Sequence, residues 1–249
     1  MKICAIIPAR MGSTRLQNKP LIRLAGKAMI VRVCEGSAQS KRIDKVIVAT
    51  DSEQIRTVVE AAGFDCVMTS KDCKSGTDRV REAAQNLDGY DLIVNVQGDE
   101  PLISGEVIDQ AIEQFLQSDC DMGTIASRKL SIDEYKSPDK VKLVLNKRNE
   151  AMYFSRATIP FNRDQDQLPE NALLHIGIYL YKPVFLDQFV SLTDSQLEDI
   201  EKLEQLRVLE NGFRISVAVT DYESIGVDVI DDIKRVEERL TGKLNEEQN

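Results

Sequence analysis

Apolar residues in the first half of the chain fall in short unbroken runs of strand length, at residues 3–7, 45–49, 64–68 and 91–96. Runs of Val, Ile and Leu that do not alternate with polar positions fit strands covered on both faces, as in a parallel sheet. Between and after them lie longer segments, at 29–40, 53–62, 77–86 and 106–117, whose pattern predicts helices. Strand alternating with helix predicts an α/β fold built on a mostly parallel sheet. The helix over 77–86 is announced by Ser75-Gly76-Thr77-Asp78, a capping-box pattern that puts Arg79 in the first turn.

After about residue 120 the texture changes. Strand-like stretches at 122–126, 141–145, 151–154 and 173–181 are separated by less regular helix, which predicts a smaller lobe with a mixed sheet. The polar, breaker-containing segment 162–171 reads as a surface loop. Leu197, Ile200, Leu203, Leu206 and Leu209 recur every third residue. At 3.6 residues per turn each step drifts by roughly 60°, which predicts one helix apolar over much of its circumference and packed on several sides, a second subunit included. With no linker or repeat, the chain reads as a single domain, residues 1–249, with halves of about 1–120 and 121–249.

Composition narrows the function. Lys plus Arg number 32 against 41 Asp plus Glu, a net charge of −9, so the molecule repels polyanions and nucleic acid is not an expected partner. Trp is absent and aromatics are 5%, which removes the stacking platforms of single-strand binders. The early apolar run ends at Pro8 and Arg10, too short for a signal peptide or a membrane span, so the expectation is a cytoplasmic protein with no membrane partner. Five cysteines without a C-x-x-C pair read as reduced filler. His175 is the only histidine, which excludes a histidine-rich zinc site and, with no G-x-S-x-G present, disfavours serine and cysteine hydrolases.

Three segments carry chemistry. The first runs from Pro8 to Pro20 directly after the first strand, where Arg10, Arg15 and Lys19 are separated by small residues, Gly12 and Ser13 among them. Guanidinium forks, an ammonium and free amides in one loop suit a polyphosphate, although the segment also fits a solvated basic loop. The second, 92–101, is a buried strand that runs straight into Asp99. In open α/β sheets ligands bind beyond the strand ends, so Asp99 is expected to face the same crevice as the basic loop. Mg²⁺ takes one or two protein carboxylates and fills its other positions with water and substrate phosphate. Asp99 would supply one, and Asp228, before the final helix, a second; Asp228 also fits a helix N-cap. The third is the strand 173–181, whose alternation puts His175, Gly177, Tyr179 and Tyr181 on one face, with a gap at Gly177 over which a sugar-like substrate could lie. His175 equally fits a hydrogen-bonded core residue. Arg156 is a natural partner for a substrate carboxylate, and Asp119-Cys120-Asp121, a D-x-D match, reads as a solvated turn.

At these residues the sequence resembles the CMP-Kdo synthetases, the cytidylyltransferases that activate 3-deoxy-manno-octulosonate (Kdo) for lipopolysaccharide assembly. The resemblance runs over nearly the whole chain. It rests on Ile7-Pro8-Ala9-Arg10, Ser13-Thr14-Arg15, Lys19-Pro20-Leu21, Ala49-Thr50-Asp51, Ser75-Gly76-Thr77-Asp78-Arg79 and Asn95-Val96-Gln97-Gly98-Asp99-Glu100-Pro101. It continues through Tyr153-Phe154-Ser155-Arg156, His175-Ile176-Gly177-Ile178-Tyr179, Leu203-Glu204-Gln205-Leu206-Arg207 and Val227-Asp228. The family pattern has Pro-Gly where this chain has Gln17-Asn18, Pro at Ala28, and Thr-Pro where it has Val229-Ile230. None of these departures removes a charge or a ligand.

The resemblance implies a Rossmann-like, mostly parallel sheet of the nucleotide-diphospho-sugar transferase type, CTP and Kdo as substrates, Mg²⁺ as cofactor, a homodimer, and a nucleotide-binding first half before a sugar-binding and dimerisation half. It implies that Arg10, Ser13, Arg15 and Lys19 hold the triphosphate, Ser75, Gly76, Arg79 and Gln97 the cytidine, and Asp99 and Asp228 the metal. Arg156, His175, Tyr179, Glu204 and Gln205 would hold the acid sugar. Arg10, Arg15, Lys19 and Asp99 are the expected catalytic groups. An 8-amino analogue of Kdo or another acid sugar is the alternative acceptor. A non-catalytic nucleotide-binding protein is the rival from another class, and the retention of Asp99 and Asp228 argues against it.

Overall fold

The run at the start of the chain becomes β1 (Ile3–Ala9), six of whose seven residues are buried. It has a strand on each side, which is why it carries no polar alternation. The computed structural model describes residues 1–12, 16–87, 89–163, 167–193 and 195–246. The triphosphate residues Ser13 and Arg15 therefore lie outside the described residues. After β1 come a short 3₁₀ turn at Lys19–Leu21, the hairpin β2 (Arg23–Leu24) and β3 (Lys27–Ala28), and helix α1 (Met29–Ala38). Then β4 (Lys45–Thr50), α2 (Glu53–Ala61), β5 (Asp65–Met68), α3 (Gly76–Gln85), β6 (Leu92–Val96) and α4 (Gly105–Leu116) follow in alternation. The capping box at α3 is present in full: Ser75 Oγ accepts from the Asp78 amide at 3.2 Å and Asp78 Oδ2 from the Ser75 amide at 3.1 Å.

The chain folds as two compact units, residues 1–108 with 224–249, and residues 109–223. In the first unit β4 and β6 pair with β1 and β5 pairs with β4, all in parallel, giving the order β6-β1-β4-β5. The chain moves outward from β1 through β4 to β5, then returns to the other edge of β1 with β6. That reversal makes a topological switch point beyond the carboxyl ends of β1 and β6.

The second unit contains β7 (Met122–Ser127), α5 (Ile132–Lys136), β8 (Lys142–Leu145), β9 (Ala151–Ser155), β10 (Leu173–Tyr181), α6 (Pro183–Ser191), α7 (Gln196–Glu201), α8 (Gln205–Glu210) and β11 (Ile215–Thr220). β11 runs parallel to β7, while β10 is antiparallel to both β7 and β8, and β8 to β9, a mixed sheet. Within the segment 162–171, expected as a loop, Leu168 packs on the buried group Leu130, Tyr135, Ala172 and Leu174.

The single helix expected over 197–209 is not formed. The chain breaks at Lys202, whose φ of 54° and ψ of 49° are left-handed, and α7 and α8 are separate helices of six residues each. A three-residue spacing would have spread the leucines around one helix. The turn instead sends Leu203 and Leu206 inward, leaves Ile200 77% exposed, and is braced by the Arg207 guanidinium reaching back to Glu198 at 2.5 and 2.6 Å.

The last helix, α9 (Ile230–Glu246), belongs to the first unit. The reading that split the chain near residue 120 kept this segment with the second half. Its Val236 joins Leu24, Met29, Ile225 and Val227 in one buried cluster. Each such side chain contributes about 1.5–3 kcal/mol on burial, enough to hold the returning segment against the hairpin. Asp228 thereby enters the unit that carries Asp99.

Candidate active site

In the first unit, the loops that leave β1 and β6 meet closely. A Cβ at Gly98 would lie 3.1 Å from the Pro8 carbonyl oxygen, and one at Gly76 would lie 3.5 Å from Pro8 Cγ. A small residue at 98 is what lets the two strand ends approach. Pro8, the α3 N-terminus and the Gly98-Asp99 turn therefore share one edge of the sheet. Arg10 follows β1 there and is exposed.

Lys19 is the focus of this edge. Its Nζ donates to Asp99 Oδ2 at 2.7 Å and to Asp228 Oδ1 at 3.0 Å, so two carboxylates far apart in the sequence converge on one ammonium. Burial alone would pull the lysine down, but the charges and hydrogen bonds of Asp99 and then Asp228 outweigh it and hold its pKa above the ordinary 10.5. Lys19 opens the 3₁₀ turn behind Asn18, which has φ 53° and ψ 31°. Asn tolerates that left-handed geometry better than other side-chain-bearing residues, which explains how it stands where the family pattern has Gly.

The segment bearing Asp228 is fixed by backbone bonds. The Val227 amide donates to the Asp99 carbonyl at 2.9 Å, and Asp232 Oδ2 accepts from the Asp228 and Val229 amides at 2.8 and 2.9 Å. The Asp232 side chain thus serves the amides at the start of α9, while Asp228 Oδ1 faces Lys19. The departure at Val229-Ile230 sits here, and the Asp232 carboxylate satisfies the amides that precede the helix.

Two oxygens within hydrogen-bond reach of one cation are a donor set that suits a hard divalent ion completing its shell with water and phosphate. No group of three or more His, Cys, Asp or Glu positioned for a metal occurs among the described residues. The donor set at this edge is the pair Asp99 and Asp228.

Ser75 and Gly76 begin α3, as expected. Arg79, in its first turn, is 3% exposed and donates to Thr69 Oγ1 at 2.5 Å and Asp51 Oδ2 at 3.3 Å. It braces the ends of β4 and β5. Gln97 donates to Asn95 Oδ1 at 3.4 Å, while the buried Asn95 amide nitrogen has no partner.

The second unit gathers neutral groups. β10 slips register against β7 between Ile176 and Tyr179, around Gly177. In a regular strand residues four apart are roughly 13 Å distant. Here the His175 and Tyr179 rings lie 5.5 Å apart, and Phe154 meets His175 edge-on at 5.1 Å. Plain alternation missed this convergence. His175 Nε2 lies 2.9 Å from Thr124 Oγ1, and that hydroxyl donates to the Ile178 carbonyl at 2.8 Å. With its one proton directed to the carbonyl, Thr124 accepts from a protonated Nε2, leaving Nδ1 as acceptor. Burial drives the His175 pKa from 6.5 down to about 3, so the ring is neutral.

Burial first, and the Glu204 charge second, push the Tyr179 phenol far above its ordinary value. It keeps its proton and donates to Gln205 Oε1 at 3.3 Å. Gln205 is 2% exposed, and its amide nitrogen has no hydrogen-bond partner among the described residues. A buried donor without an acceptor costs about 1–3 kcal/mol, which a ligand oxygen would recover. Arg156, just past β9, donates from Nε to the Glu201 carbonyl at 2.7 Å and from Nη1 to the Pro138 carbonyl at 2.9 Å. Thr124, Glu201 and Pro138 were not among the expected site residues, since nothing in their local sequence separates them from ordinary strand, helix-end and turn positions. The D-x-D match at 119–121 is tied to Arg214, which donates to the Asp119 carbonyl at 2.5 Å and, from its amide, to Asp121 Oδ2 at 3.0 Å.

A family model described as cytidylyltransferase matches residues 4–218. The chain belongs to the cytidylyltransferase family. Within it, the chain is 47% identical to the 3-deoxy-manno-octulosonate cytidylyltransferase of Geotalea uraniireducens, over 96% of this chain and 99% of that protein. It is 46% identical to the protein of the same name from Trichlorobacter lovleyi, with the same coverage. Among solved structures it resembles CMP:2-keto-3-deoxy-manno-octonic acid synthetase complexed with CTP, with a TM-score of 0.91 and 34% identity over 98% of this chain and 100% of that one. No helix of the described residues is long and apolar enough to cross a membrane.

Proposed function

We propose that this cytidylyltransferase transfers CMP from CTP to the anomeric hydroxyl of Kdo and releases pyrophosphate, supplying activated sugar for lipopolysaccharide. The observation that carries the reading is the convergence of Asp99 and Asp228 on Lys19 at the switch point. Transfer to phosphorus needs positioning and charge neutralisation more than a covalent partner on the protein. Asp99 and Asp228 would hold Mg²⁺, which supplies positive charge at the α-phosphate and acidifies a bound hydroxyl. Lys19 now holds one oxygen of each carboxylate, and with those oxygens given to a cation its ammonium would be left to meet phosphate. Arg10 and Arg15 add guanidinium forks for the triphosphate, with Ser13 beside them. Ser75, Gly76, Arg79 and Gln97 are assigned to the cytidine, Arg79 as the brace behind it.

For the acceptor, Arg156 is assigned to the carboxylate, and His175, Tyr179, Glu204 and Gln205 to the hydroxyls. A polyol is recognised by neutral donors and acceptors, and the orphan Gln205 amide and the neutral His175 ring supply both. The same reading places the enzyme in the cytoplasm as a homodimer. Pyrophosphate release measured across the four nucleoside triphosphates with Kdo, its 8-amino analogue and other acid sugars tests it. Turnover only with CTP and Kdo is the expected result. Preference for the 8-amino sugar would reassign the acceptor, and CTP binding without turnover on any acid sugar would sink the catalytic reading.

A further inference from the structure

Arg156 is held at more points than a ligand-binding arginine at a strand end requires. Beyond the two carbonyls that take Nε and Nη1, its own amide donates to Glu201 Oε2 at 2.9 Å. Nη2 makes no hydrogen bond among the described residues. Each anchor is itself held. The second Glu201 oxygen, Oε1, accepts from Ser155 Oγ at 2.6 Å, and Ser155 is 3% exposed. The turn that carries Pro138 is tied by Lys142, whose side chain is fully buried. Lys142 Nζ donates to the carbonyls of Ser137 at 2.7 Å, Lys140 at 2.6 Å and Arg156 at 2.6 Å.

An ammonium has three donors, and here all three end on backbone oxygens. Burying that charge is unfavourable unless such dipoles compensate it, and an apolar residue would pack in a strand at lower cost. Burial, and then the Arg156 charge, hold the Lys142 pKa below its ordinary 10.5. The location explains why a charge sits there. Lys142 lies in β8 opposite Ser155 of β9 and Leu174 of β10, and the preceding Val141 carbonyl accepts from the His175 amide at 2.8 Å.

We propose that Lys142 and Glu201 are positioning residues that clamp Arg156 so that Nη2 is the nitrogen presented to the carboxylate of the acceptor. This rests on the assignment of Arg156 to the acid sugar. With Nε on Glu201, the side-on fork that pairs Nε with Nη2 is closed, and the carboxylate must approach from the Nη2 end. Selection for an acid over its neutral analogue then depends on the clamp as well as on the arginine.

The test compares kcat/KM for Kdo with that for its carboxamide, which has the same shape and no charge. The full-length enzyme is measured with Arg156→Ala, Lys142→Met, Glu201→Ala and the Arg156→Ala/Glu201→Ala double variant. Arg156→Ala is expected to lower the acid-over-amide ratio by at least about tenfold, and the two clamp variants to lower it by about three- to tenfold with KM for CTP within about twofold. The double variant is expected to match Arg156→Ala, because the clamp acts only through the arginine. A general loosening of the fold would weaken acid and amide alike and leave the ratio intact. If folded clamp variants keep the wild-type ratio while Arg156→Ala loses it, the clamp is overturned and the acceptor assignment stands. If Arg156→Ala itself keeps the ratio, the assignment fails and the clamp falls with it. Should Lys142→Met not fold, Glu201→Ala and the double variant decide the outcome.

Discussion

The strand-end cluster of the first unit and the β10 cluster of the second handle polarity in opposite ways. Around Lys19 the groups are ionised and answer one another, with nitrogen-to-oxygen distances of 2.7 and 3.0 Å to Asp99 and Asp228. Around His175 burial has kept the ring uncharged, and its contacts are with a hydroxyl and two aromatic rings. An ion cluster can exchange partners, one cation or anion for another, at little change in net charge. A desolvated neutral cluster instead selects by the direction of each donor and acceptor. A polyphosphate with its metal asks for the first kind of site and a sugar for the second.

The strongest way to break that contrast is to remove one charge from the first cluster. Asp99→Asn keeps the shape and a hydrogen-bond acceptor but cannot anchor a divalent cation. Turnover is expected to fall by about three orders of magnitude, roughly 4 kcal/mol of transition-state stabilisation, with the fold intact by circular dichroism. Pyrophosphate release within about tenfold of wild type from a folded Asp99→Asn enzyme would remove Asp99 from the metal site.

The next effect belongs to the charged member of the second cluster. Arg156→Ala is expected to weaken acceptor binding by about 2–5 kcal/mol and leave CTP binding as it was. Calorimetry of each ligand separately reads both halves of that statement. A loss shared equally by CTP and the sugar would mean that Arg156 acts on the fold.

Lys19→Met comes third, because Arg10 and Arg15 remain to meet the phosphates. CTP affinity is expected to fall by about 1–2 kcal/mol, with free sugar affinity unchanged. Since Asp99 and Asp228 raise the Lys19 pKa, the pairing stabilises the fold through the neutral and mildly alkaline range, where the carboxylates are ionised, up to the ordinary 10.5, and is lost as pH rises through the higher folded value. Stability of Lys19→Met relative to wild type should therefore be constant from pH 7 to 9. A difference that grows between pH 7 and 9 would show that the ammonium titrates there and is not held by both carboxylates.

Much of the first unit was legible because local signals and tertiary demands agree in it. Unbroken apolar runs became two-sided strands, Ser75 and Asp78 formed their box, and Asp99 stood where a buried strand ends. The second unit hid more. Lys142 reads as an exposed strand position until the register shows it between two other strands. The leucines at every third position carried no mark of the left-handed turn at Lys202. Thr124 was a strand threonine like any other, and only the slip of β10 around Gly177 brings the His175 and Tyr179 rings together. Contacts between distant segments decided these features, and spacing along the chain does not encode them. Asp228 stands just before α9, as its place in the sequence suggested, but that Asp232 takes the two amides there carried no mark in the sequence.

The smallest predicted effect tests the neutral cluster most directly, and the composition makes it unusually clean. His175 is the only histidine, so one imidazole resonance in the proton spectrum reports on it without assignment. Burial lowers its pKa from 6.5 to about 3, against an unfolded chain that protonates near the ordinary value. A neutral buried imidazole then contributes stability that is fully present above pH 6.5 and is lost as pH falls toward 3, because the unfolded state binds the proton first. The resonance should not move between pH 8 and 5, and His175→Gln should show a shallower loss of urea stability than wild type between pH 6.5 and 4.5. A midpoint near 6.5 in the folded protein would mean that the ring is hydrated and chargeable. β10 would then meet its sugar with a cation of its own in addition to Arg156, and the contrast between the ionic cluster around Lys19 and the neutral one around His175 would collapse.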